Sequence, residues 1–266
     1  MDAQQISRIA HRIFDANQAR QPFEPLTGAD KPAQLEDAYR IQDEVYALFA
    51  DAGGLGPLSG HKIALTSKAV QSLCGVDQPA YGAIYASQHY ASGLAVKSSD
   101  YHRLGLEFEV AVEIGETVPA GQVDFDAQSI APYVGACMPA FELIDDRAAD
   151  YSRLDAASIL TDRCWCAGTV MGPAVSGWAE LDLTSCAAEL FCNGELVDSG
   201  VTGDSMGHPL NGLAWVANHL NRLNRPLLKG AIVMTGSALK TQVAEPGNTY
   251  TYRIAGLGET TLQVKE

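Results

Sequence analysis

The sequence predicts an α+β protein with an N-terminal helical segment and a largely mixed or antiparallel sheet. Two stretches with apolar residues at helical spacing precede everything that alternates like a strand. The later segments lack regular β-α-β alternation. Asn193-Gly194 lies between two short strand-like runs, the residue pair a tight hairpin turn favours.

Ile6, Ile9, Ile13 and Phe14 place one apolar stripe on a first helix, which should stop by Pro22. Leu35, Ala38, Ile41, Val45 and Leu48 mark a second helix ending near Gly53-Gly54. The run GGLGPLSG then reads as a boundary loop, dividing a helical segment (1–58) from a main domain (59–266). HKIALT reads as a strand, and Ser67 is a candidate cap for a short helix through Leu73. Phe108, Val110, Val112 and Ile114 alternate with Glu107, Glu109, Ala111 and Glu113, which predicts a half-buried strand with an acidic opposite face. Further strands are expected at 164–171, 187–191, 195–198, 231–235, 249–255 and 260–264, with Pro246-Gly247 as a turn. Pro209 opens a helix carrying Leu210, Leu213, Val216, Ala217 and Leu220 on one face.

The 266 residues are 47% hydrophobic, enough for a substantial core. A net charge of −14 repels a phosphate backbone, so nucleic acid is not an expected partner, and neither is an anionic membrane. A small anionic substrate would need a local positive centre, supplied by a bound cation or placed lysines. No apolar run is long enough to span a bilayer, and the opening MDAQQISRIAHRIF has no signal-peptide character. The six cysteines fit reduced thiols in a cytoplasmic protein better than a disulfide framework or a zinc site. Cys164 and Cys166 would share one strand face.

Glu107 and Glu109, two apart on a strand, point to the same side, roughly 6–7 Å apart at the backbone. Two carboxylates this close repel, and a hard divalent cation removes the conflict. The pair alone is a weak signal, since a solvated polar face of an antiparallel sheet explains it better. Glu142 shifts the balance. It stands in the apolar stretch MPAFELIDDR, where a carboxylate is either buried with a partner or at a strand end.

Several separated blocks, in order, carry a resemblance: GHKIALTSKAVQ (60–71), LEFEVAVEI (106–114), PAFELIDDR (139–147), GHPLNGLAWVANHL (207–220), IVMTGS and the GLGE tail. From about residue 35 onward the chain resembles the 2-oxopent-4-enoate hydratase and 4-oxalocrotonate decarboxylase group of the fumarylacetoacetate hydrolase superfamily. The resemblance implies that superfamily's mixed β-sheet and β-roll core, and a Mg²⁺ or Mn²⁺ ion held by Glu107, Glu109 and Glu142. It further implies catalytic roles for Lys62 and Glu109, with Lys62 facing the carboxylate of a small 2-oxo acid, and a small-hydroxyl position at Ser237. A homo-oligomer, with possible association with a paralogous hydratase or decarboxylase, is implied as well. The activity implied is hydration of a 2-hydroxydienoate in aromatic meta-cleavage catabolism, with decarboxylation as the alternative and C–C bond hydrolysis or a non-catalytic partner subunit behind it.

Three departures stand out. The hydratase block P-D-[FY]-G reads QPAYG, placing Ala80 where those enzymes have an Asp; the decarboxylases also lack it. The family's D-N dipeptide reads Asp162-Arg163, so Arg163 is a candidate for binding a second anionic group on the substrate, or equally a surface ion-pair partner. Gly105 replaces a basic residue. Other motifs carry less. Gly203-Asp204-Ser205-Met206-Gly207 fits G-x-S-x-G without a sound preceding strand or a triad order, and Ser237…Lys240 fits S-x-x-K without its companion motifs. His61 and His102 are possible site members. His208, just before Pro209, is at least as well read as a helix cap.

Overall fold

The computed structural model describes residues 1–121 and 124–266. Its α-helices are α1 (Ala3–Gln18), α2 (Leu35–Asp51), α3 (Lys68–Leu73), α4 (Ala127–Ile130), α5 (Ala156–Thr161) and α6 (Pro209–Arg222). The strands, in chain order, are β1 (Leu58–Ala64), β2 (Ala80–Tyr85), β3 (His89–Ala91), β4 (Leu94–Lys97), β5 (Leu104–Ile114), β6 (Val134–Asp145) and β7 (Cys166–Met171). They continue with β8 (Ala187–Cys192), β9 (Glu195–Val201), β10 (Ile232–Ser237), β11 (Gln242–Val243), β12 (Thr249–Ile254) and β13 (Gly258–Lys265).

The strands form two mixed sheets. The larger runs β2-β1-β10-β5-β6-β7-β3, with β11 also on β5, and the smaller runs β4-β13-β12-β8-β9. The β1–β10, β3–β7 and β4–β13 pairs are parallel, and the other pairings are antiparallel. This is the mixed α+β architecture the sequence predicts. The β8–β9 hairpin turns through Asn193 (φ 52°) and Gly194 (φ 86°), both left-handed as a two-residue turn of this kind requires.

The two sheets pack face to face around Phe108, Phe141 and Tyr252, with ring centroids 5.6–6.2 Å apart. Leu106, Phe108, Val110, Val112 and Ile114 of β5 all point into this core and are at most 2% exposed. The other face of β5 departs from the expectation of a solvated surface. β5 lies in mid-sheet between β10 and β6, and Ala111 packs there with Ala140, Met138 and Met234. The strand is buried on both sides, so its glutamates are largely enclosed.

Helices α1 and α2 bury Ile6, Ile9, Ile13, Ile41, Val45 and Phe49 against each other and against Tyr85 of β2. Asp2 caps α1 by accepting from the Gln5 amide at 2.8 Å. Buried Gln42 donates to the carbonyls of Tyr81 (3.0 Å) and Leu160 (2.7 Å), tying α2 to the sheet. Ser67 caps α3 by accepting from the Val70 amide, as its position suggests. None of the described helices is long and apolar enough to cross a membrane.

Candidate active site

Antiparallel pairing of β5 and β6 sets Glu107 directly opposite Glu142, and pairing of β5 and β10 sets Glu109 opposite Ser237. Glu107 and Glu109 share a face because successive side chains of a strand alternate. Each of the three carboxylates offers an oxygen within 4.8 Å of those offered by the other two. Glu109 and Glu142 are fully buried, while Glu107 is partly exposed.

Buried carboxylates without partners are costly, and this cluster is short of partners. Glu109 Oε2 accepts from the Gly236 amide at 2.7 Å, whereas Oε1 has no donor. Thr241 donates to Glu107 Oε1 at 3.2 Å. Lys62 Nζ pairs with Glu142 Oε1 at 2.5 Å, while Glu142 Oε2 has no donor. Burial, and then the neighbouring charges of Glu142 and Glu107, push Glu109 well above the usual carboxylate range. Burial pushes Glu142 up to about 7, even though the Lys62 charge opposes it. Lys62 is 2% exposed, and burial works against its charge. The carboxylates of Glu142 and Glu107 outweigh that effect and hold the ammonium above its ordinary range. Three acids and one ammonium leave the cluster over-supplied with negative charge. Three converging carboxylates, two of them with unpartnered oxygens, are a hard donor set that fits a divalent cation.

Lys62 also donates to the Cys164 carbonyl at 3.2 Å. The segment around that carbonyl differs from expectation. Cys164 does not continue a strand shared with Cys166. Arg163, Cys164 and Trp165 form a turn with φ of 58°, 50° and 59°, and the strand starts only at Cys166. Three successive left-handed residues cost roughly 1–2 kcal/mol each and persist only where the surroundings over-determine them. Here Asp162, immediately before the turn, is pinned by Arg147 (2.5 Å) and Asn17 (2.8 Å). All six cysteines are free.

A cavity of about 630 Å³ opens above the cluster. Lys62, Glu107, Gly236 and Ser237 line it, together with Leu65, Val70, Leu73, Tyr151, Leu154, Ile159 and Trp165. Glu109 and Glu142 sit beneath this lining. Two glycines keep the floor open. At Gly236 (φ 99°) a side chain would stand 2.7 Å from Ser205 Oγ and displace the amide that holds Glu109. At Gly82 it would press on the Lys62 stem at 3.1 Å.

The structure thus brings together Glu107, Glu109, Glu142, Lys62 and Ser237, but not Arg163. The Ser237 hydroxyl is already engaged, accepting from the Phe108 amide at 2.8 Å and donating to the Leu239 carbonyl at 2.9 Å, so it chiefly braces the wall. Arg163 turns away into a separate cavity of about 200 Å³, over the Phe49 ring (4.1 Å) and against Asn17 Oδ1 (3.2 Å). Its side chain thus lies among the N-terminal helices and lines the smaller cavity rather than the one above the carboxylates. The histidines lie elsewhere. His61 pairs with the Tyr81 hydroxyl at 2.8 Å, His102 with the Arg20 carbonyl at 2.7 Å, and His208 caps α6 by accepting from the Leu210 amide. Ser205 is buried with its hydroxyl on the Thr235 carbonyl, which removes any nucleophile-elbow role. Sequence reasoning missed the Gly236 amide and the Tyr151–Trp165 wall. A glycine interrupting a strand pattern was the available signal for the first, since β10 breaks register between Met234 and Ser237.

The C-terminal domain of fumarylacetoacetate (FAA) hydrolase matches residues 69–265. A 2-keto-4-pentenoate hydratase of Paraburkholderia phymatum is 32% identical over 97% of this chain and 96% of its own length. A 2-hydroxyhexa-2,4-dienoate hydratase of Comamonas testosteroni is 29% identical over 100% and 99%. Among solved structures, 4-oxalocrotonate decarboxylase of Pseudomonas putida G7 superposes with a TM-score of 0.90 at 25% identity, covering 99% of this chain and 98% of that one, in its complex with magnesium and adipate. The same enzyme is also known with calcium and acetate. Matched over most of its length, from α3 through β13, the chain belongs to the fumarylacetoacetate hydrolase family.

Proposed function

We propose that this protein is a divalent-metal-dependent lyase acting on small 2-oxo acids in their 2-hydroxydienoate form, a hydratase of aromatic meta-cleavage catabolism. One observation carries the reading: three carboxylates, two of them fully buried with unpartnered oxygens, converge at the floor of a cavity that admits a small acid. Glu107, Glu109 and Glu142 would hold Mg²⁺ or Mn²⁺, the class of hard cation named for the decarboxylase relative. When bound, that ion supplies Lewis-acid stabilisation of negative charge at the substrate's 2-oxygen.

The remaining work falls to the chain itself. Lys62 keeps a fixed positive charge at the cavity floor, where it attracts the substrate carboxylate. In hydration the 2-hydroxyl loses a proton and C5 gains one. Water then adds at C4, and its remaining proton goes to C3, giving a 4-hydroxy-2-oxo acid. Glu109, with Oε2 fixed by the Gly236 amide, keeps Oε1 free of donors and turned toward the other two carboxylates.

A decarboxylase reading is favoured by one feature. Ala80, where the hydratases have an Asp, is buried at the start of β2 and brings no acid to the site. Incubating the metal-loaded protein with 2-hydroxypenta-2,4-dienoate and with 4-oxalocrotonate, and identifying products by mass, separates the two. A gain of one water from the first supports the hydratase, loss of carbon dioxide from the second supports the decarboxylase, and turnover of neither removes both. Self-association belongs to the reading as well. Edge strand β9 exposes Leu196, Val197 and Val201, which suits contact with a second copy and is checked by sedimentation.

A further inference from the structure

The tail of the substrate is written in the far wall of the large cavity. Its volume of about 630 Å³ falls within the roughly 300–1,000 Å³ of pockets that enclose much larger ligands than a five-carbon acid. Beyond Lys62 and Glu107 the lining is mainly apolar. Val70 and Leu73 come from α3, Leu154 and Ile159 from the segment leading into and through α5, and Tyr151 and Trp165 form an aromatic side. Tyr151 and Trp165 pack with centroids 6.3 Å apart, and Phe23 braces Trp165 edge-on at 5.1 Å.

Two independent observations add to this. Leu73, Tyr151 and Val70 are 55%, 50% and 40% exposed, so apolar surface is left open to water at the cavity and an apolar ligand would cover it. The charges also exclude a second carboxylate. Among the described residues Lys62 and Lys240 are the only basic side chains in the lining. Lys62 lies at the floor, where it serves the carboxylate next to the 2-oxo group, and Lys240 is exposed and shares the cavity with Asp198 and Asp204. Arg163, the one cation the sequence offered for a distal anion, faces the other cavity.

We infer that the preferred substrate is a monocarboxylic 2-oxo acid whose far end is an uncharged apolar chain longer than that of 2-oxopentanoate, held by the Val70, Leu73, Leu154 and Ile159 wall. The inference rests on the 2-oxo acid reading of the carboxylate cluster. Each methylene fully buried there strengthens binding about fourfold.

The test is calorimetric titration of the magnesium-loaded protein with three saturated acids: 2-oxopentanoate, 2-oxononanoate and 2-oxohexanedioate. The expected result is a Kd at least tenfold lower for 2-oxononanoate than for 2-oxopentanoate, with 2-oxohexanedioate binding no tighter than 2-oxopentanoate. Leu73→Lys, at an exposed position that tolerates the change, should narrow the preference for 2-oxononanoate over 2-oxohexanedioate by about fivefold. Equal affinities for the two monoacids, or tightest binding of the diacid, overturn the tail assignment alone. Failure of all three acids to bind a protein that does bind magnesium overturns the 2-oxo acid reading beneath it.

Discussion

Two cavities flank the left-handed turn at 163–165, and Trp165 lines both. The smaller one is anchored by a matched buried pair, Arg147 and Asp162. Arg147 reaches Asp162 at 2.5 Å and the Gln21 carbonyl at 2.8 Å, and Asp162 also accepts from Asn17. In the larger one three carboxylates face a single ammonium, and Glu109 Oε1 and Glu142 Oε2 have no donor. Matched charge fixes the position of a segment. Unmatched charge, held by a sheet that cannot relax around it, is a site waiting for a ligand.

Substitutions on the two sides should separate these roles. The largest expected effect is Glu109→Ala. It should weaken magnesium binding by more than the roughly 10–100-fold typical of losing an outer-shell partner, with activity falling in parallel. Titration calorimetry reads this, and equal affinity in variant and wild type would remove the central claim. Next is Asp162→Asn in the smaller cavity. Breaking that buried pair should cost about 3–5 kcal/mol in denaturant unfolding while magnesium affinity stays within about twofold. Loss of metal binding with stability intact would reverse the comparison.

Gly236→Ala sits between the extremes. The added methyl strains a left-handed backbone and displaces the Glu109 donor, so kcat should fall about tenfold or more with a Tm drop of several degrees. A pH series sharpens the contrast further. Burial lifts the Glu142 carboxyl of the metal-free protein from the ordinary 4.5 to about 7, so its protonated form is the one folding favours. Metal-free stability from this group is therefore present below about pH 4.5 and lost as pH rises to 7. Magnesium, which relieves the ionised form, should raise Tm more at pH 8 than at pH 5. Scanning fluorimetry at the two pH values reads the difference. The smallest expected effect is Arg163→Asn, which should leave kcat/KM within about twofold because the side chain faces the smaller cavity.

Periodicity carried the helices, the β8–β9 hairpin and the shared face of Glu107 and Glu109, because each depends on residues close in sequence. The Ser67 and His208 caps were legible for the same reason. The burial of the β5 carboxylate face was not. It depends on β10 and β6 arriving on either side, and residues 134 and 232 are far from residue 109 along the chain. The direction of Arg163 was hidden too, since it follows from three left-handed residues that no apolar pattern marks. The resemblance to relatives brought in Glu142 and Lys62, which spacing alone could not connect to Glu107.

In the proposed metal site, the cross-strand pairing of Glu107 with Glu142 would bear on how the protein discriminates between ions. Their backbones are separated by the fixed gauge of a hydrogen-bonded sheet, about 4.8 Å between strands and about 3.3 Å per residue along one. Loops that cage an ion can swell or shrink around it, whereas this gauge leaves only side-chain torsions to adjust. Exchanging one divalent ion for a larger one should therefore leave the strands where they are, and selectivity becomes a question of which radius three short levers on a rigid frame can close upon.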